Sequence, residues 1–181
     1  EDGRLIIWST ISSTAVRELE GHSDRVTSIE FSPDGQRLLT ASNDRVIILW
    51  DYMTGQVLSR FTGHRGAVND IAFSPDGSRL LSGSDDTRVI LWDITTGNSI
   101  QRFSEQDTAI TSVAFIEDGR AAVSGAIDGT MVSRGFDTGE ELREWVLTNR
   151  FIPVLDCELR QRFNIECTEN QVSIESTPVT G

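Results

Sequence analysis

The chain has 181 residues, a length that fits one ordinary domain. Its 38% hydrophobic and 24% charged residues supply a core and a solvated surface, so wholesale disorder is excluded. Acidic residues number 28 against 16 basic ones, all of them arginine, and the net charge of −12 excludes a general binder of nucleic-acid phosphates or anionic membranes.

The chain opens at Glu1-Asp2-Gly3 with neither a Met nor a leader-like segment, so a longer parent protein and a cytoplasmic location are expected. Residues 1–20 read as two short strands. From Gly21 onward the sequence repeats itself at an interval of 42 residues without a gap. Gly21-His22 returns as Gly63-His64, Phe31-Ser32-Pro33-Asp34-Gly35 as Phe73-Ser74-Pro75-Asp76-Gly77, and Trp50-Asp51 as Trp92-Asp93. A third copy keeps Phe115, Asp118-Gly119, Asp128 and Thr138-Gly139, while Asp2 and Trp8 match one interval earlier.

Each copy reads as four strands. In the second, Ala67 to Phe73 alternates and stops at the turn signal Ser74-Pro75-Asp76-Gly77. Arg79 to Ser84 follows, then Asp85-Asp86 breaks the chain. Arg88 to Trp92 is nearly all apolar, as a strand buried on both faces must be, and Ser99 to Phe103 is a more polar fourth strand. The expected division is 1–20 (two strands of a truncated unit), 21–62, 63–104, 105–147 (a degenerate copy) and 148–181 (a tail). A lone four-stranded meander cannot cover its apolar faces, so the copies must stack.

Over about residues 1–146 these features resemble the WD-repeat β-propeller family. The resemblance implies an all-β fold, a β-propeller of four-stranded antiparallel blades, of which this chain supplies about three and a half. It also implies a buried hydrogen-bond chain in each blade, here His22, Thr40, Asp44 and Trp50, then His64, Ser82, Asp86 and Trp92. The chemistry suits the roles. An indole N–H donates to a hydroxyl, the hydroxyl to one imidazole nitrogen, and the other imidazole N–H to a carboxylate. In the third copy Gln106 stands in the His position and Arg134 in the Trp position, with Ser124 and Asp128 retained, so a rewired interior is expected.

Three and a half blades leave an unpaired apolar edge. The expected arrangement is the C-terminal part of a longer propeller of a bacterial protein. A half propeller closed by a second copy, or closure by the tail, are the alternatives. In the tail Leu155, Leu159 and Phe163 have helical spacing, and residues 149–166 loosely resemble the ends of large bacterial WD-repeat signalling proteins.

No catalytic constellation emerges. Both histidines belong to the repeat, Asp44, Asp86 and Asp128 recur one per copy, and Cys157 and Cys167 have no nearby zinc-ligand partners. No phosphate-cradling loop or nucleophile elbow is present, and no cofactor or metal is expected. The resemblance points instead to a partner-binding face made of the loop before the Gly-His strand and the turn before the Trp strand. That face holds Asp24, Arg25, Arg45, Arg65, Asp85, Thr87 and Asp107, and the three arginines could fork onto a carboxylate. The expected function is a non-catalytic interaction scaffold for a peptide or protein. The alternative is a ligand-sensing regulatory region of a larger bacterial signalling protein, such as a nucleotide-switching ATPase, a kinase or a protease.

Overall fold

The computed structural model describes residues 3–9, 11 and 13–136. The expected tail helix, both cysteines and the fourth strand of the third copy lie outside the described residues. Strands β1 (Leu5–Trp8) and β2 (Ala15–Leu19) form an antiparallel pair. Next comes a four-stranded antiparallel sheet of β3 (Val26–Phe31), β4 (Arg37–Ser42), β5 (Val46–Asp51) and β6 (Val57–Thr62). A second sheet holds β7 (Val68–Phe73), β8 (Arg79–Ser84), β9 (Val89–Asp93) and β10 (Ser99–Phe103). The last described sheet is β11 (Ile110–Ile116), β12 (Ala121–Ala126) and β13 (Met131–Gly135).

The two four-stranded sheets share one register: Leu38 faces Trp50 and Thr40 faces Ile48, as Leu80 faces Trp92 and Ser82 faces Ile90. Strand β7 packs against both β3 and β11, so the first strand of each sheet is innermost and the sheets fan outward. The apolar run of β5 follows from this stacking. Ile47 and Leu49 point toward the next sheet, among Val68, Ile71 and Phe73. Ile48 and Trp50 point back onto Leu19, Leu38, Leu5 and Ile7. A strand sandwiched in this way gains on both faces, roughly 1.5–3 kcal/mol for each large side chain fully buried.

The first turn of each complete copy is built by side chains. Ser32 Oγ donates to Asp34 and receives the Arg37 N–H, while Asp34 also receives the Gln36 N–H at 2.9 Å. Ser74, Asp76, Ser78 and Arg79 repeat the arrangement. In the third copy Ile116 and Glu117 replace Ser and Pro, and without the hydroxyl the chain makes a short 3₁₀ turn with Glu117 and Asp118 at φ 52° and 54°.

Candidate functional site

Within each complete copy four distant side chains meet in the sheet interior. Trp50 Nε1 donates to Thr40 Oγ1 at 2.8 Å, Thr40 Oγ1 lies 2.7 Å from His22 Nε2, and His22 Nδ1 lies 2.9 Å from Asp44 Oδ2. The second copy repeats this with Trp92 to Ser82 at 2.8 Å, Ser82 to His64 at 2.8 Å, and His64 to Asp86 at 3.1 Å. The network that satisfies every atom puts the imidazole proton on Nδ1, facing the carboxylate, and lets the hydroxyl donate to Nε2. Each Asp also anchors backbone, Asp44 accepting from Ser23 N and Val46 N and Asp86 from Arg65 N and Arg88 N. The glycine ahead of each His gives the indole room, since a Cβ on Gly21 or Gly63 would come within 2.7 or 3.0 Å of the Trp ring edge.

Burial pushes the His64 imidazole below its ordinary value, against the opposing pull of Asp86. Burial also acts to raise Asp86, but N–H donors and His64 outweigh it and hold the carboxyl below the usual range. Asp44 is held low by the same balance. These shifts favour a neutral His64 imidazole and ionised Asp44 and Asp86 carboxylates. Their hydrogen bonds tie the loop before the first strand to the turn before the third, which is a positioning role rather than a reactive one.

The third copy is wired differently. Ser124 Oγ donates to Gln106 Oε1 at 2.5 Å and accepts from Arg134 Nη1 at 2.7 Å. Gln106 Nε2 turns to Thr130, and Asp128 accepts from the Thr130 N–H and hydroxyl instead of reaching Gln106. The Arg134 guanidinium, buried where the Trp stands elsewhere, pairs with exposed Glu105 at 3.0 Å and lies 5.1 Å over the Phe103 ring. Glu105 stands at the position of Gly21 and Gly63, and its departure from glycine was the sequence signal that could have found it, since without an indole the position has room for a side chain.

The face expected to bind a partner consists of loop pairs, one pair per copy. Asn43 N donates to Arg25 O, Asp85 N to Ala67 O and Ile127 N to Ala109 O, each at 2.9 Å. Arg25 and Arg45 belong to the first pair, while Arg65, Asp85 and Thr87 belong to the second and Asp107 to the third. Asp24, Arg25, Arg45, Arg65, Asp85 and Asp107 are exposed and Thr87 is half-buried. Among the described residues no three His, Cys, Asp or Glu side chains gather as metal ligands would.

The innermost strands show a feature that spacing alone did not reveal. Carboxylates cap the free edge of the neighbouring strand: Glu30 accepts the Phe73 N–H at 2.7 Å, and Asp70 accepts the Val113 N–H at 2.9 Å. Burial pushes Glu30 up, the Phe73 N–H opposes, and Asp70 adds to the rise.

Stacked four-stranded antiparallel meanders, each clamped by a Trp–hydroxyl–His–Asp chain, define a blade of a repeat propeller. The family model of the WD domain, G-beta repeat, matches residues 13–51, 55–93 and 97–132, more than half of the chain, and the protein belongs to that family. Among similar curated proteins are groucho of Drosophila melanogaster, 37% identical over 46 residues, and Lissencephaly-1 homolog 1 of Paramecium tetraurelia, 39% identical over 46 residues. Autophagy-related protein 16 of Arabidopsis thaliana is 40% identical over 45 residues. Each match spans 25% of this chain, but only 6%, 11% and 9% of those relatives, so the likeness is one of repeats and not of whole proteins. Repeats of this family generally mediate protein–protein interaction and are generally non-enzymatic.

Proposed function

We propose that this chain is a non-catalytic scaffold that presents the loop-pair face of its repeats to a peptide or protein partner. The supporting observation is a constant frame carrying variable tips. The same 2.9 Å backbone bond closes the loop pair in all three copies, while equivalent positions carry Arg45, Thr87 and Gly129, or Ser23, Arg65 and Asp107. A rigid frame lowers the ordering cost of binding, and differing tips allow selectivity. Arg25, Arg45 and Arg65 make a segment bearing carboxylates the preferred partner. The remaining blades of the ring come, in this reading, from the parent chain. A cytoplasmic location and a bacterial signalling parent belong to the same reading and rest on the sequence alone.

The test is selection from a random peptide display library, comparing the chain with a variant carrying Arg25→Ala, Arg45→Ala and Arg65→Ala. Peptides rich in Asp and Glu should be enriched on the chain and lost on the triple variant. Peptides that bind both equally would place the interaction elsewhere.

A further inference from the structure

The contacts that join one unit to the next recur at the repeat interval. Arg37 Nη2 donates to Gly77 O at 3.3 Å, with its guanidinium carbon 5.9 Å over the Phe73 ring. Arg79, 42 residues later, donates to Gly119 O at 2.7 Å and lies 5.9 Å over Phe115. Thr27 and Asn69, also at equivalent positions, donate to Val68 O at 2.5 Å and Ile110 O at 2.8 Å. Each unit therefore offers a receptor (a strand carbonyl, a phenyl ring and a turn carbonyl) that the preceding unit fills.

The first unit carries the same receptor in Val26 O, Phe31 and Gly35 O. Among the described residues no guanidinium lies over Phe31 and no side chain donates to Gly35 O. Phe31 meets Tyr52 edge-on at 5.0 Å, yet it remains 49% exposed where Phe73 is 6% exposed. Ile29 is 56% exposed where Ile71 and Val113 are 4% and 5%. The pair β1–β2 covers only the outer part of this face, around Leu38, Ile48 and Trp50. It stands where β5–β6 and β9–β10 stand in their sheets, so among the described residues no strand takes the two inner positions beside it. The residue that leads toward β1 already has the required backbone conformation. Gly3 has φ 69°, and its equivalents Arg45 and Thr87 have 70° and 68°.

We propose that the face formed by Ile29, Phe31 and Gly35 is the docking site of an arginine-bearing β-hairpin that runs into β1 through Gly3. Its arginine stacks on Phe31 and donates to Gly35 O, as Arg37 and Arg79 do one and two units later. The proposal rests on the propeller reading and adds the chemistry of the missing neighbour. The third unit of a second copy, as far as it is described, does not fit. It has Ala121 at the arginine position, which reaches neither ring nor carbonyl. Its sheet also already holds three described strands, where the opening takes two.

The test joins a duplicate of residues 67–84 directly ahead of Glu1 of the full chain, which sets the duplicated arginine over Phe31. Thermal unfolding is compared for the chain, the fusion, and the fusion with Arg79→Ala in the duplicate only. The fusion should melt higher by about 5 °C or more, and the alanine version should lose much of that gain. Phe31→Ala should abolish the arginine dependence in the fusion while leaving the unextended chain nearly unchanged, since Phe31 is half exposed there. A fusion that melts no higher, or a gain indifferent to the arginine, overturns the proposal. So does a dimer of the unextended chain by light scattering whose melting the fusion does not raise. Peptide selection on the loop-pair face reads a different surface, so its failure and the failure of this docking site are separately visible.

Discussion

The hydroxyl of Thr40 or Ser82 is the joint on which each clamp depends, because it accepts from an indole and serves an imidazole at once. Ser82 is fully buried, so Ser82→Ala leaves the Trp92 N–H and His64 Nε2 without partners or water. Stability should fall by about 3 kcal/mol in urea unfolding, while Ser82→Thr should retain most of it. The clamp also dictates a pH response. His64 titrates below its ordinary 6.5 when folded, so on acidification the unfolded chain takes up the proton first. Its contribution is complete above pH 6.5 and is lost as the pH falls toward the lower folded value. Asp44 and Asp86 are held below 3.8, and Asp76 is held at about 2 by the Ser74 hydroxyl and Ser78, so a second loss begins as the pH falls through 3.8. Urea midpoints from pH 8 to 3 should show both declines, and His64→Gln should weaken the first.

At the scale of the element, the third sheet shows how a strand pattern survives a change of interior. Its strands pair in the same order as those of the other sheets, yet a guanidinium fills the indole position and draws a carboxylate in from Glu105. A buried charge of this kind costs desolvation, and its partner is largely solvated. Arg134→Met should therefore change stability by less than about 1 kcal/mol in either direction, because Ser124 keeps its bond to Gln106. Glu105→Ala should cost more, about 2 kcal/mol, because it strands the buried cation. Urea unfolding of the two variants decides this, and equal losses would contradict it.

At the scale of the whole molecule, the balance lies between apolar faces stacked sheet on sheet and a net charge of −12. Like charges on a folded chain repel, and salt screens them within roughly 8 Å at physiological ionic strength. The melting temperature should rise between 10 mM and 300 mM sodium chloride. A fall would mean that attractive surface pairs such as Arg4–Glu18 outweigh the repulsion.

Strand positions and turn sites in the complete copies were legible in the sequence. Alternation, Asp-Gly turns and a 42-residue interval are local properties, and the strands at Arg79–Ser84 and Ser99–Phe103 lie where that pattern puts them. The residues of the two clamps could also be picked out, since each occupies a fixed place in the interval. What the tertiary structure decided are the bonds between units: Glu30 to the Phe73 N–H, Asp70 to the Val113 N–H, Arg37 and Arg79 on the next turn. The same holds for the turning of Asp128 toward Thr130 and of Arg134 toward Glu105. These pairings depend on how two stacked sheets are offset and on which lone pairs the sheets leave unused. Spacing along the chain identifies equivalent residues, but only packing brings a donor of one unit to an acceptor of another.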